Sequence, residues 1–180
     1  MDEKKAMEFL NAIKNENLRK HMIAVAAIMK KLASLLGEDE EKWYYAGLLH
    51  DIDYEVVKDM KEHGKKSAEM LEGLLSNDAL HAIMAHNEMT GVEAKTKFDF
   101  ALRASDAISG LIVASALVMP DKKLKSATVK TLKNKFKDKS FARKIDRNII
   151  MECEKIGLSQ EEFFSLALEA MKEVANQLGL

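Results

Sequence analysis

Proline and glycine are scarce in this chain. It has 1 proline, Pro120, and 8 glycines in 180 residues, against roughly 9 and roughly 13 at average usage. β-Sandwiches and doubly wound α/β folds spend both residues on their turns, so both architectures are disfavoured. Cysteine is nearly absent as well. The lone Cys153 excludes an internal disulfide and fits a reducing compartment, so a cytoplasmic location is expected. Long apolar runs are missing. The longest, Ala107 to Met119, covers 13 residues, short of the roughly 18 that span a bilayer. It reads as a buried core helix, and no membrane partner is expected. The opening residues MDEKKAMEFL are charged and lack the apolar stretch of a signal peptide.

Hydrophobic residues make up 47% of the chain and charged residues 32%, a balance that supports a folded core rather than disorder. Eleven methionines and many alanines, leucines and lysines predict an all-α protein, and the length predicts a single domain over 1–180. The net charge of −1 argues against a generic nucleic-acid binder.

The periodicity predicts a first helix over Asp2–Ile13. A long second one runs from the capping residues Asn15–Asn17 to Gly37, with an apolar stripe of Leu18, Val25, Ile28, Leu32 and Leu35. Further helices are predicted over Glu38–Asp53, Gly64–Leu75, Asn77–Asn87 and Phe98–Met119, the last stopped by Pro120. Ser126–Phe136, Phe141–Ile156 and Gln160–Gln177 complete the set, with Ser159 and Glu162 in capping-box spacing.

There are five histidines, and their positions are informative. His21 lies on the apolar stripe of the second helix, so its ring needs a partner; a core histidine bonded to a carbonyl would satisfy it. His50 and Asp51 close the run Ala46-Gly47-Leu48-Leu49, where a dipole-complementing histidine and a metal site are both consistent. Asp106 interrupts an apolar helix, and its carboxylate calls for a cation. Arg103, one turn earlier, or a metal could supply it. His81 and His86 stand five residues apart, about 140° around a helix, so both cannot easily face one ion; His86, beside Asn87 and Glu88, is the better candidate. His63, in KEHGKK, taken alone reads as a surface residue.

Together, His21, His50-Asp51 in GLLHDIDYE, His63 in EHGKKSAEM, His86 in HAIMAHNE and Asp106 in ASDAISGLI resemble the HD-domain superfamily of metal-dependent hydrolases, in its HDIG-type branch. The resemblance covers about 15–118 as an HD helical bundle, leaving about 119–180 as additional C-terminal helices. That last stretch resembles a group of small bacterial and archaeal HD hydrolases with no assigned substrate. The resemblance implies a first ion held by His21, His50, Asp51 and Asp106, and a second held by His63 and His86 and bridged by Asp51. Imidazole and carboxylate donors suit Fe, Mn, Zn, Ni or Co, so the expected cofactor is one or two divalent transition-metal ions. Many HDIG proteins carry another histidine where this chain has Asn87, which predicts a weaker second ion. The lysine after the His-Asp pair and the Gly-Tyr-Pro signature of the cyclic-dinucleotide phosphodiesterases are absent.

Residues 121–147 hold nine lysines, two arginines and three aspartates, a net of +8. The expectation drawn from this is that Lys130, Lys133, Arg143 and Arg147 clamp an anionic substrate; the alternative is a solvated face. The leading functional expectation is phosphomonoester or phosphodiester hydrolysis on a small phosphorylated or nucleotide-like substrate, with Asp51 at the reaction centre and Glu55 or Asp53 orienting water. A homo-oligomer is compatible with the sequence. The same ligand order also serves mixed-valent di-iron oxygenases of the HD fold, and a non-catalytic nucleotide-binding module with a structural ion is the third class.

Overall fold

The structure, a computed structural model, describes residues 1–180. It contains ten α-helices and three short 3-10 segments, with no strand. Helix α1 (Glu3–Ala12) is capped by Asp2, and α2 (Glu16–Leu36) by Asn15, whose side chain accepts from the amides of Asn17 and Leu18. α2 ends at Gly37 with φ +71°, the left-handed conformation that glycine adopts without a Cβ penalty. α3 (Glu40–Leu49), α4 (Lys65–Met70), α5 (Asn77–Ala85) and α6 (Lys97–Leu117) follow. The C-terminal third supplies α7 (Val129–Lys137), α8 (Arg147–Met151), α9 (Gln160–Glu173) and α10 (Ala175–Leu178).

α6 is the axis of the fold. It packs against α2, α3, α5, α7, α8 and α9, and residues on nearly every side of it are buried. Its 21 residues are long and apolar enough to cross a bilayer by those two measures alone, yet the helix is spent on the core. That core is continuous: Met22, Ile28 and Leu32 from α2, Trp43 and Leu48 from α3, Leu102 and Leu111 from α6, and Phe163 and Phe164 from α9 belong to one buried cluster. Trp43 stacks on Phe98 with ring centroids 4.9 Å apart, joining α3 to the start of α6.

Four departures from the sequence expectations have local causes. The third helix stops at Leu49 rather than Asp53, because His50 to Val56 form successive turns that deliver Asp51 and Asp53 inward. The fourth stops at Met70, and Gly73 turns the chain at φ +73°. The helix expected over Phe141–Ile156 is broken. Ala142 sits at φ +44° and the Arg147 guanidinium takes the carbonyls of Asp138, Phe141, Ala142 and Ile145, leaving only α8 and the 3-10 turn 152–156. Finally, Leu35 lies outside the core at 59% exposure, so the apolar stripe of α2 ends at Leu32 and Ala33.

Candidate metal centre

Six side chains converge between α2, the end of α3, the turns after it, α5 and α6. His21 comes from the second turn of α2, His50 and Asp51 follow α3, and His63 immediately precedes Gly64, the residue before α4. His86 caps the C-terminal end of α5, and Asp106 lies in mid-α6. Two glycines make the convergence sterically feasible. A Cβ on Gly47 would stand 2.9 Å from Cα of Ala26, so only glycine lets α3 approach α2 this closely. Gly64 has φ +89°, and a Cβ there would meet the carbonyl of Ile83 at 2.8 Å and the His86 ring at 3.2 Å.

The four histidines share one hydrogen-bonding pattern. Nδ1 of His50 donates to the carbonyl of Gly47 at 2.8 Å, and Nδ1 of His86 to the carbonyl of Ile83 at 2.5 Å. Nδ1 of His63 donates to Asp53 at 2.7 Å. Ser109 gives its hydroxyl proton to the carbonyl of Asp106 at 2.8 Å, so it accepts from Nδ1 of His21 at 3.1 Å. Since a neutral imidazole carries one proton, each ring in its neutral form presents the bare Nε2 lone pair to the centre.

Those lone pairs meet carboxylates rather than donors. Nε2 of His50, His63 and His86 lie 3.2, 3.3 and 3.4 Å from Oδ1 of Asp51. Nε2 of His21 lies 3.1 Å from Oδ1 of Asp106 and 3.6 Å from Oδ2 of Asp51. The Nε2 atoms of His63 and His86 face one another at 3.2 Å. Nε2 of His50 and Oδ1 of Asp51 are buried without any hydrogen-bond partner, a costly state for polar atoms unless a cation satisfies them. Acceptors converging on acceptors fit a metal ion. One ligand atom each from His21, His50 and Asp106 falls within 4.8 Å of the others, and so does one each from His50, Asp51 and His86. Asp51 is shared by both sides, with Oδ2 towards His21 and Oδ1 towards His63 and His86.

Electrostatics follow the same division. Burial pushes His50 down to about 4. Burial also opposes the charged form of His63, but the carboxylates of Asp51 and Asp53 on either side of the ring outweigh it and raise the group to about 9. For Asp51, burial is overcome by His50, His63 and His86, which hold the carboxyl well below its usual range.

The other residues singled out by sequence have different tasks. Asp53 is fully buried, and besides His63 it accepts from the amides of Gly64 and Ser67 at 2.8 and 2.9 Å; with both oxygens engaged it positions a histidine rather than a water. Glu55 accepts from the amides of Lys14 and Asn15 at 2.9 and 2.7 Å, tying its turn to the start of α2. Arg103 does not serve Asp106; it pairs with Glu88 and Glu152. His81 turns away to Asp99 at 3.1 Å. Asn87 gives its amide protons to the carbonyls of Met60 and His63, so it braces the His63 turn.

None of the four basic residues expected at the substrate lines the metal cavity, whose volume is about 390 Å³. Lys133 pairs with Glu161, Arg147 is consumed by backbone carbonyls, and Lys130 and Arg143 are exposed. Tyr54, Asn15 and Leu18 line the cavity instead. Tyr54 stands edge-on to the His63 ring at 5.1 Å. Sequence reading missed Asp53 as the partner of His63 and Ser109 as that of His21. Neither lies at a helical spacing from the residue it holds.

Comparison with known proteins adds an independent line. The family model described as the HD domain matches residues 18–114. Ribonuclease Y of Oleidesulfovibrio alaskensis is 35% identical over 98 residues, which is 53% of this chain and 18% of the relative. Ribonuclease Y of Thermoanaerobacter pseudethanolicus is 38% identical over 96 residues, 52% of this chain and again 18% of the relative. The chain thus covers only 18% of the length of these curated relatives. Their name places RNA among the substrates of the relatives, so the expectation against nucleic acid drawn from net charge finds no support there. No solved structure matches the chain.

Proposed function

The chain belongs to the HD-domain family of metal-dependent hydrolases, and from that premise we propose that its substrate is a phosphate ester. The observation that carries this reading is the pair of orphaned buried atoms, His50 Nε2 and Asp51 Oδ1, at the meeting point of four imidazoles and two carboxylates. His21, His50, Asp51 and Asp106 would hold one ion, and Asp51, His63 and His86 a second. When bound, such ions lower the pKa of water towards neutrality and offset the negative charge that phosphoryl transfer gathers on oxygen.

The protein's own residues supply orientation. Gly47, Ile83, Asp53 and Ser109 hold the four rings so that no tautomer change is needed on binding. Asp51, with Oδ2 towards His21 and Oδ1 towards His63 and His86, could serve both ions. The 390 Å³ cavity with no lysine or arginine in its lining favours a small substrate, because a polyanion needs a series of cations along its path. A second reading, cleavage of RNA phosphodiesters, draws on the similarity to ribonuclease Y and on the exposed lysines of 121–147.

Metal analysis of protein purified without chelator, followed by turnover assays on alkyl and sugar phosphates, nucleotides and short RNA, tests the proposal. Bound divalent transition metal with chelator-sensitive cleavage of one of these classes is expected. Bound iron with oxygen consumption and no ester cleaved would move the assignment to the oxygenase chemistry of the same fold.

A further inference from the structure

His21 lines two cavities, which adjoin at its ring. On one side is the metal cavity; on the other a groove of about 530 Å³ runs along α6 and is closed by residues 178–180. The groove is graded in polarity. At its His21 end stand Asn17, Lys20 and Ser109, whose hydroxyl also holds the His21 ring. Farther along α6, at successive turns of the same face, come Val113 and Leu117, with Ala114 beside them, while Leu178 and Leu180 flank Gly179 on the wall of the groove. At 1.5 Å per residue, Leu117 lies about 12 Å beyond Ser109. Leu117 is 50% exposed, an apolar surface left open within the groove. The distal end offers no aromatic face for stacking and no side-chain amide or hydroxyl to read a base edge. Its volume lies in the range of roughly 300–1,000 Å³ typical of small-molecule sites.

We propose that this groove binds the organic half of the substrate, and that this half is aliphatic: an alkyl or similarly apolar group esterified to the phosphate seated in the metal cavity. Lys20, although paired with Glu16 at 2.7 Å, keeps its ammonium at the polar rim, next to the backbone of Gly179, where it counters the charge of the ester. The direction of the substrate, phosphate towards Asp51 and chain towards Leu117, rests on the phosphohydrolase reading. The groove itself does not.

The test is calorimetry on this manganese-loaded chain with methyl-, butyl- and hexylphosphonate, run beside turnover of the corresponding alkyl phosphates. Affinity should climb roughly fourfold per methylene as carbon enters the groove. Ala114→Trp, which fills the groove from a partly exposed position, should flatten the series and leave methylphosphonate binding unchanged. Val113→Ser, at a partly exposed site one turn along α6 from Ser109, should reduce the slope even if the tryptophan variant fails to fold. A flat series in the unaltered protein overturns the proposal. So does tighter binding of a nucleoside monophosphate or a short RNA than of hexylphosphonate, or a dimer that Ala114→Trp dissociates. Affinity that climbs with chain length while no ester is cleaved would leave the groove standing and remove the phosphohydrolase reading. Cleavage of methyl phosphate with flat affinity would do the reverse.

Discussion

Asp53 and His63, ten residues apart, are joined by a buried hydrogen bond of 2.7 Å from Nδ1 to Oδ1, and that bond decides which nitrogen of His63 faces Asp51. The second oxygen of Asp53 is held by the amides of Gly64 and Ser67, so the carboxylate cannot swing away. Asp53→Asn replaces one acceptor oxygen by an NH2 donor. The His63-side ion should then bind about 10- to 100-fold more weakly, the usual cost of losing a partner that orients a ligand, while the other ion is little affected. In the metal-free variant, NMR titration should find His63 well below its present value of about 9, because one of the carboxylates that raise it is gone. A variant that loses stability but keeps the raised histidine would show Asp53 to be merely structural.

Metal uptake should be coupled to protons through His63 on one side of the centre and, on the other, through His21, which Asp106 and Asp51 raise against burial, rather than through His50. In the metal-free protein at pH 7.5, His63 lies below its pKa of about 9 and is charged, whereas His50, at about 4, is neutral. Ligation requires the neutral ring, so filling the His63 side releases a proton and its affinity rises with pH until about 9. Filling the His50 side releases none from that ring. The same sign rule gives the metal-free fold a contribution from His63 that is complete below pH 6.5 and is lost as pH rises through 9. Calorimetry in buffers of different ionisation enthalpy should resolve two steps. The step that releases the His63 proton should be the weaker, having two imidazoles and one shared carboxylate, and His63→Ala should abolish it alone. Two equally tight steps would contradict the reading of Asn87 as a missing ligand.

How legible the centre was depended on whether a residue's partner was periodic. The converging His and Asp side chains were readable because each interrupts or ends an apolar helical pattern, as His21 and Asp106 do, or because the family motif marks it, as it does His63. The helices themselves were readable from caps such as Asn15 and Ser159. What could not be read are bonds between distant backbone and side chain. Glu55 binds amides about 40 residues away, and Arg147 breaks its own predicted helix by collecting carbonyls. Neither leaves a trace in spacing or hydropathy. The basic stretch misled for a related reason: composition records charge but not direction, and Lys133 and Arg147 are spent within their own region of the fold.

Glu55 provides a direct check on that distinction. Its carboxylate is held below its usual pKa by the amides of Lys14 and then Asn15, which end the α1–α2 connection. Glu55→Ala should lower the melting temperature and leave kcat unchanged, since both oxygens of Glu55 are turned to these amides and the residue does not line the metal cavity. A large fall in kcat with an unchanged melting temperature would restore it to the chemistry.

Gly47 sits where fold and metal centre depend on the same few atoms. Its missing side chain allows Ala26 of α2 to approach, with a Cβ there only 2.9 Å from Cα of Ala26 and 3.0 Å from its nitrogen. Its carbonyl also receives Nδ1 of His50. Gly47→Ala would gain roughly 1 kcal/mol of helix propensity, but backbone atoms cannot yield as a flexible side chain does, and overpacking costs about 1–3 kcal/mol. The two helices must part, carrying His50 on α3 away from His21 on α2, whose ring centroids now lie 5.3 Å apart. The expected result in urea unfolding is a net loss of about 1 kcal/mol, accompanied by a fall of at least about tenfold in affinity for the ion between His21 and His50. Gly73→Ala is the control. Its Cβ meets nothing within 4 Å, though its φ of +73° is strained for alanine; it should lower stability through the backbone alone and leave metal affinity intact. Stabilisation by Gly47→Ala, or equal effects of both variants on metal binding, would show that the close approach of α2 and α3 does not set the geometry of the centre.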